Sequence, residues 1–175
     1  MSTATAATSN TIGSAYIAEL EQEAKVSREV LSRVPAEKFD WKPHEKSMSF
    51  GKLAAHIAEM LTWTGPTLQQ PELDFSTMDY KPFEPQTTEE LLEYFDKNLA
   101  EAVDVLTNTT DEQFMENWSL RNGETVYFTM PKVVTMRSFV MSHIIHHRGQ
   151  LSVYLRLNDI AVPSIYGPSA DEGSM

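Results

Sequence analysis

No cysteine occurs among the 175 residues. Disulfides, thiolate ligands and a thiol nucleophile from the chain itself are excluded, so any transition-metal site must use nitrogen and oxygen donors. Long apolar runs are missing too, since none approaches the roughly 20 residues that span a bilayer. Basic charge is scarce, with 14 Lys and Arg against 25 Asp and Glu, a formal net charge of -11. Such a surface repels phosphate backbones and anionic lipid, which argues against nucleic-acid and membrane partners. The acidic residues are scattered as on an ordinary solvated face rather than gathered into a tail. The opening stretch, MSTATAATSNTIGSA, lacks the charged and apolar regions of a secretion signal. Residues 1–10 are therefore expected to form a disordered tail, and the protein to be cytoplasmic. There is no Gly-rich phosphate loop, no nucleophile elbow and no Glu-x-x-His pattern of a di-iron bundle.

Helical periodicity is what the chain does have. From about Thr11 to Arg33, the residues Ile12, Tyr16, Leu20, Ala24, Ser27 and Leu31 recur at spacings of three and four, and Pro35 ends the run. A second helix is capped by Ser47 or Ser49, carries Leu53, His56, Ile57, Met60, Leu61 and Trp63, and is expected to stop at Gly65-Pro66. A proline-containing connection runs from Pro66 to Thr87, long enough to cross a bundle and start a parallel helix. Thr87 and Glu90 form a capping-box signature for a third helix through Leu106. Asn122-Gly123 between two β-prone stretches predicts a small hairpin. Pro131 then opens a fourth helix that runs to about Asn158. The expected fold is all-α, a four-helix bundle over residues 11–160. Residues 161–175 are expected to form a tail packed on it.

Three histidines stand out on this frame. His143 and His147 lie one turn apart, with rings on one face about 6 Å apart along the axis. At about 100° per residue they share an inward stripe with Met136, Tyr154, Phe139 and Gln150. His56 lies between Leu53 and Met60 on the apolar stripe of the second helix. Three inward, unpaired imidazoles are a costly way to fill a core, and a shared cation explains them more simply. Gln150 is placed to orient a ligand ring. His146, about 60° from His143, is placed at the pocket edge rather than among the ligands. His44, among Pro43, Glu45 and Lys46, reads as a solvated loop residue. Arg148, turned about 140° from His143, is expected to meet solvent or a carboxylate. Glu59, at roughly 300° from His56, falls beside the stripe and reads as solvated, although it is the nearest candidate base. The segment His143-Ile-Ile-His-His147 lacks the glutamate of the zinc-protease motif H-E-x-x-H.

Two stretches resemble the DinB/YfiT-like superfamily: WKPHEKSMSFGKLAAHIA from Trp41 and SHIIHHRGQLSVYLR from Ser142. The ending VPSIYGPSADE from Val162 is similar to one branch of it. The resemblance implies an up-down-down-up four-helix bundle, frequent dimers, and a divalent metal held by His56, His143 and His147. It also implies chemistry with low-molecular-weight thiols such as bacillithiol, mycothiol or glutathione.

Two functions follow as expectations. The first is an enzyme. Three neutral nitrogen ligands leave a divalent ion with an open position, as in catalytic rather than structural sites. Such an ion favours a bound thiolate or hydroxide at neutral pH. Without cysteine, the thiol must come from a cosubstrate that attacks a small electrophile, with hydrolysis as the competing chemistry. Trp63, Tyr154 and Tyr166 are candidates to line the pocket. The second is a non-catalytic, metal-binding stress protein whose ion pins two helices. Imidazole donors suit zinc, nickel, iron and copper. Zinc or nickel is the first expectation for the cofactor, and iron or manganese the next.

Overall fold

The computed structural model describes residues 11–173. The expectation for residues 1–10 and the last two residues of the tail lie outside the described residues. The chain is mostly helical, with one small three-stranded sheet. Helix α1 spans Ile12–Ser32; Thr11 caps it by accepting from the Ser14 amide at 3.0 Å, and the Ser14 hydroxyl answers the Thr11 amide. Its inner face buries Tyr16, Leu20, Ala24, Ser27 and Leu31, the periodic positions of the sequence.

Helix α2 spans Phe50–Glu59, and Ser49 is its cap. The expected stop at Gly65-Pro66 does not occur. Met60–Trp63 tightens into a 3-10 turn, and a further helix, α3, runs over Thr64–Gln69. That change of pitch puts Pro66 in the first turn of α3, where a missing amide hydrogen leaves no bond unmade.

The long connection that follows is not featureless. Strand β1 (Glu72–Asp74) pairs parallel with strand β2 (Asn117–Asn122), which pairs antiparallel with strand β3 (Thr125–Pro131). The hairpin between β2 and β3 forms as expected, one residue later than a turn centred on Asn122-Gly123. Asn122 still pairs with Thr125, so Gly123 takes the first central position at φ 58°, which glycine adopts without strain. The Asp74 carboxylate holds that turn by accepting from the Gly123 amide at 2.9 Å. Trp118 of β2 is fully buried and donates from Nε1 to the Pro66 carbonyl, fastening the sheet to α3.

Helix α4 spans Thr88–Thr107 with Thr87 as its cap. The Glu90 side chain binds the amide of Gln86, one residue before the one that a capping box would use. A short α5 (Asp111–Met115), with no signal in the periodicity, carries its own Thr110–Gln113 capping box. The fourth long helix starts at Lys132, with Pro131 as its capping residue rather than in its first turn, and ends at Leu157 before Asn158; its interior is irregular. It runs as α6 (Lys132–Thr135), a π-helical stretch (Met136–Met141) and α7 (Ser142–Leu157).

Helix α1 packs on α4 and α7, and α2 packs on the same two helices. Leu20, Leu31, Phe50, Ile57, Phe95 and Leu151 are almost wholly removed from solvent between them. Each such side chain contributes about 1.5–3 kcal/mol of transfer free energy, enough together to fix the relative placement of α2 and α7. The C-terminal segment lies against this body. Val162 and Ile165 pack on the core, and Asp171 and Glu172 pair with Arg156 and Arg33. Among the described residues, no helix is long and apolar enough to cross a membrane.

Candidate metal centre

Helix α2 brings His56 to the flank of α7, and the 3.6-residue pitch puts His143 and His147 on one face of it. The Nε2 atoms of His56 and His143 are 3.3 Å apart, and those of His143 and His147 are 2.8 Å apart. One ring nitrogen from each residue lies within 4.8 Å of the other two. Ligand bonds of about 2.1 Å at tetrahedral to right angles would separate such nitrogens by about 3.0–3.4 Å, so the cluster is close to ligand spacing.

The hydrogen accounting of the three rings points the same way. The other nitrogen of His147, Nδ1, lies 2.7 Å from Gln150 Oε1, an acceptor, so it carries the ring's proton and Nε2 keeps a lone pair. The His143 Nε2 atom meets both neighbours, yet a neutral imidazole nitrogen can donate or accept, not both. At most one of the two contacts is therefore satisfied by a proton. A cation accepted by all three lone pairs satisfies both. Neutral imidazoles are the ligating form, and the surroundings enforce it. Burial, reinforced by the charges of His147 and His56, pushes the His143 pKa down to about 4, against a backbone hydrogen bond at Phe139 that favours the proton. Burial lowers that of His147 as well, with the Gln150 bond opposing. The donor set and its partners thus fit a divalent transition metal.

The π-helical stretch ends one residue before His143's neighbour Ser142, so α7 starts with a backbone widened by extra residues per turn. Within it, Phe139 presents its ring edge-on to His143, with centroids 6.2 Å apart.

Glu59 is not solvated. It is 9% exposed, its carboxylate lies 3.9 Å from His56 Nδ1, and Oε2 accepts from the Tyr80 hydroxyl at 2.8 Å. The flank of α2 that the helical wheel assigned to water is covered by the connection carrying Tyr80, which no periodicity announces. Burial of the hydroxyl, with the hydrogen bond and charge of Glu59 adding to it, pushes the Tyr80 pKa up to about 12, so the phenol is a fixed donor.

A cavity of about 500 Å³ opens beside His56, walled by α2, α3 and the connection: Glu59, Met60, Trp63, Leu73, Phe75, Met78 and Tyr80. Trp63, one of the residues expected near the site, lines this cavity. Gln150 is hydrogen-bonded to His147, and His146 is exposed with its ring 4.9 Å from that of His147. Tyr154 and Tyr166 are not brought to the cavity. Tyr154 packs edge-on against Trp41 and Phe50 and donates to the Met48 carbonyl. The Tyr166 hydroxyl donates to Glu23 and accepts from Arg148. Arg148 itself meets a carboxylate, but deep in the protein rather than in solvent. His44 sits exposed in its loop, accepting from the Lys46 amide.

A protein-family model, that of the DinB family, matches residues 1–174. The protein called uncharacterized protein YrdA in Bacillus subtilis strain 168 is 24% identical over 161 residues, covering 90% of this chain and 89% of the relative. Among solved structures, a DinB-like protein from Bacillus cereus ATCC 10987 superposes with a TM-score of 0.67 at 19% identity, over 86% of this chain and 95% of that one. The DinB-like protein YjoA from Bacillus subtilis gives 0.63 at 19% identity, over 83% and 92%. These structural likenesses carry the fold alone.

Proposed function

The chain belongs to the DinB family, and from that premise and the histidine cluster we propose that it is a metal-dependent enzyme transferring a low-molecular-weight thiol to a small electrophile. In this reading His56, His143 and His147 hold one divalent ion, zinc or nickel first and iron or manganese next. Residues 11–160 act as an up-down-down-up four-helix bundle, working as a homodimer in the cytoplasm. One observation carries the proposal: three imidazole nitrogens converge with more lone pairs than protons to satisfy them.

A divalent cation at that point supplies positive charge that favours a thiolate over a thiol at neutral pH. The chain's own residues do the rest. Gln150 fixes the tautomer and plane of His147. The apolar wall beside His56 shelters the reacting carbon from water. The thiol proton leaves to solvent, the sulfur lone pair forms the new carbon–sulfur bond, and the carbon's bond to its leaving group breaks with its electron pair. The absence of cysteine assigns the sulfur to the cosubstrate.

The test is a thiol-transfer screen on zinc-loaded and nickel-loaded protein, using one aryl halide electrophile with bacillithiol, mycothiol and glutathione. Thioether formation above the uncatalysed rate, lost in His143→Ala, is expected with at least one thiol. No thioether with any of them, on protein shown to contain metal, overturns the assignment.

A further inference from the structure

The cavity beside His56 has a chemical asymmetry that the histidine centre does not explain. Trp63 and Phe75 meet edge to face, with centroids 6.1 Å apart and planes 74° apart. They form a corner in which a flat ring stacks on one wall and turns its edge to the other. Met60 and Met78 add polarisable, adaptable surface. At the His56 end stands Glu59, a buried carboxylate to which, among the described residues, the Tyr80 hydroxyl is the one hydrogen-bond donor. A carboxyl has acceptor capacity well beyond that single bond, and what remains faces the cavity. Lys52 lines a separate chamber of about 190 Å³ that touches His56, Glu59 and Tyr80 too.

We infer that the cavity receives a small aromatic molecule bearing one hydrogen-bond donor, its ring in the Trp63–Phe75 corner and its donor on Glu59. The volume of about 500 Å³ suits a ligand of that size. A donor on Glu59 brings the adjoining carbon beside His56, so under the thiol-transfer reading, on which this part rests, that carbon belongs to the electrophile. Trp63 and Glu59 are then the specificity-determining residues: one selects the ring and the other the donor.

Three unreactive probes test this on the zinc-loaded protein, by ligand-observed NMR titration: benzyl alcohol, benzyl methyl ether and cyclohexylmethanol. Benzyl alcohol is expected to bind about tenfold tighter than its ether, the effect of one hydrogen bond to a charged acceptor. It is expected to bind about fivefold tighter than the saturated alcohol. Glu59→Met removes the first preference and keeps the second; Trp63→Leu does the reverse. Tyr80→Phe, a change at a half-exposed ring, frees the Glu59 oxygen and raises the alcohol-over-ether ratio. It keeps the inference testable if Glu59→Met does not fold. Equal binding of either probe pair to the wild type overturns the inference, as does a variant that leaves its assigned preference intact. A protein with both preferences but no thiol transfer loses the reaction and keeps the ligand class. Transfer to aliphatic electrophiles by a protein with neither preference does the opposite.

Discussion

The two sides of α7 treat polar groups in opposite ways. On one side, His143 and His147 meet His56 with lone pairs facing lone pairs and too few protons among them. On the other, the Arg148 guanidinium is 1% exposed and thoroughly paired. It donates to the Glu23 carbonyl at 3.0 Å, the Ser27 hydroxyl at 3.2 Å, the Tyr166 hydroxyl and the Glu23 carboxylate. Both clusters are made by adjacent residues, His147 and Arg148, about 100° apart round the helix. The difference separates two uses of buried polarity. A group that fastens the fold arrives with its partners built in, whereas a group that awaits a ligand arrives without them.

Breaking the satisfied side gives the largest expected effect. Arg148→Ala leaves the Glu23 carboxylate buried without its cation and lowers stability by about 3–5 kcal/mol in urea unfolding. Metal content of the folded fraction stays at the wild-type level; loss of metal in parallel with stability would erase the distinction between the sides. His143→Ala makes the opposite cut. The metal-free protein unfolds close to the wild-type midpoint, but the stabilisation by added zinc disappears, about 2.7 kcal/mol at one hundred times the dissociation constant. Gln150→Leu sharpens the picture by removing only the partner that orients His147. Zinc affinity falls about 10–100-fold in competition with a chelating dye, with little change in apo stability. On the fastening side, Tyr166→Phe removes one hydroxyl from the Arg148 network and costs about 1 kcal/mol.

The remaining effect is in pH. The folded pKa of His143 is about 4, and that of His147 is lowered as well, against about 6.5 in an unfolded chain. Between those values the unfolded chain binds more protons, so stability of the metal-free protein falls as pH drops from about 6.5 towards 4 and levels below. In His143→Asn that slope flattens. An unchanged slope would place the titration elsewhere.

Much of this was legible in the sequence, for identifiable reasons. Apolar residues at spacings of three and four, with Ser47 or Ser49 and Thr87 as caps before two of them, located the long helices, because period and capping are local properties. The histidines were legible because one-turn spacing and an apolar stripe are local as well. What escaped depends on distant partners. Strand β1 exists only because β2 offers it a parallel edge. Glu59 looked solvated until the connection bearing Tyr80 lay over it. Arg148 and Tyr166 find each other across 18 residues, and Glu23 joins them from the first helix. The α-to-π change before His143 was missed because a uniform 100° step was assumed; the wider turns bury Met136, Val140 and Met141, and Met141 lies far from the His143 stripe on that wheel.

X-ray absorption spectroscopy on zinc-loaded protein purified without a histidine tag tests the central claim most directly. The account predicts one ion per chain with three imidazole nitrogens at about 2.0–2.1 Å and at least one further light ligand that is not protein. A shell with two imidazoles or fewer, or one closed by a fourth protein ligand, would contradict it.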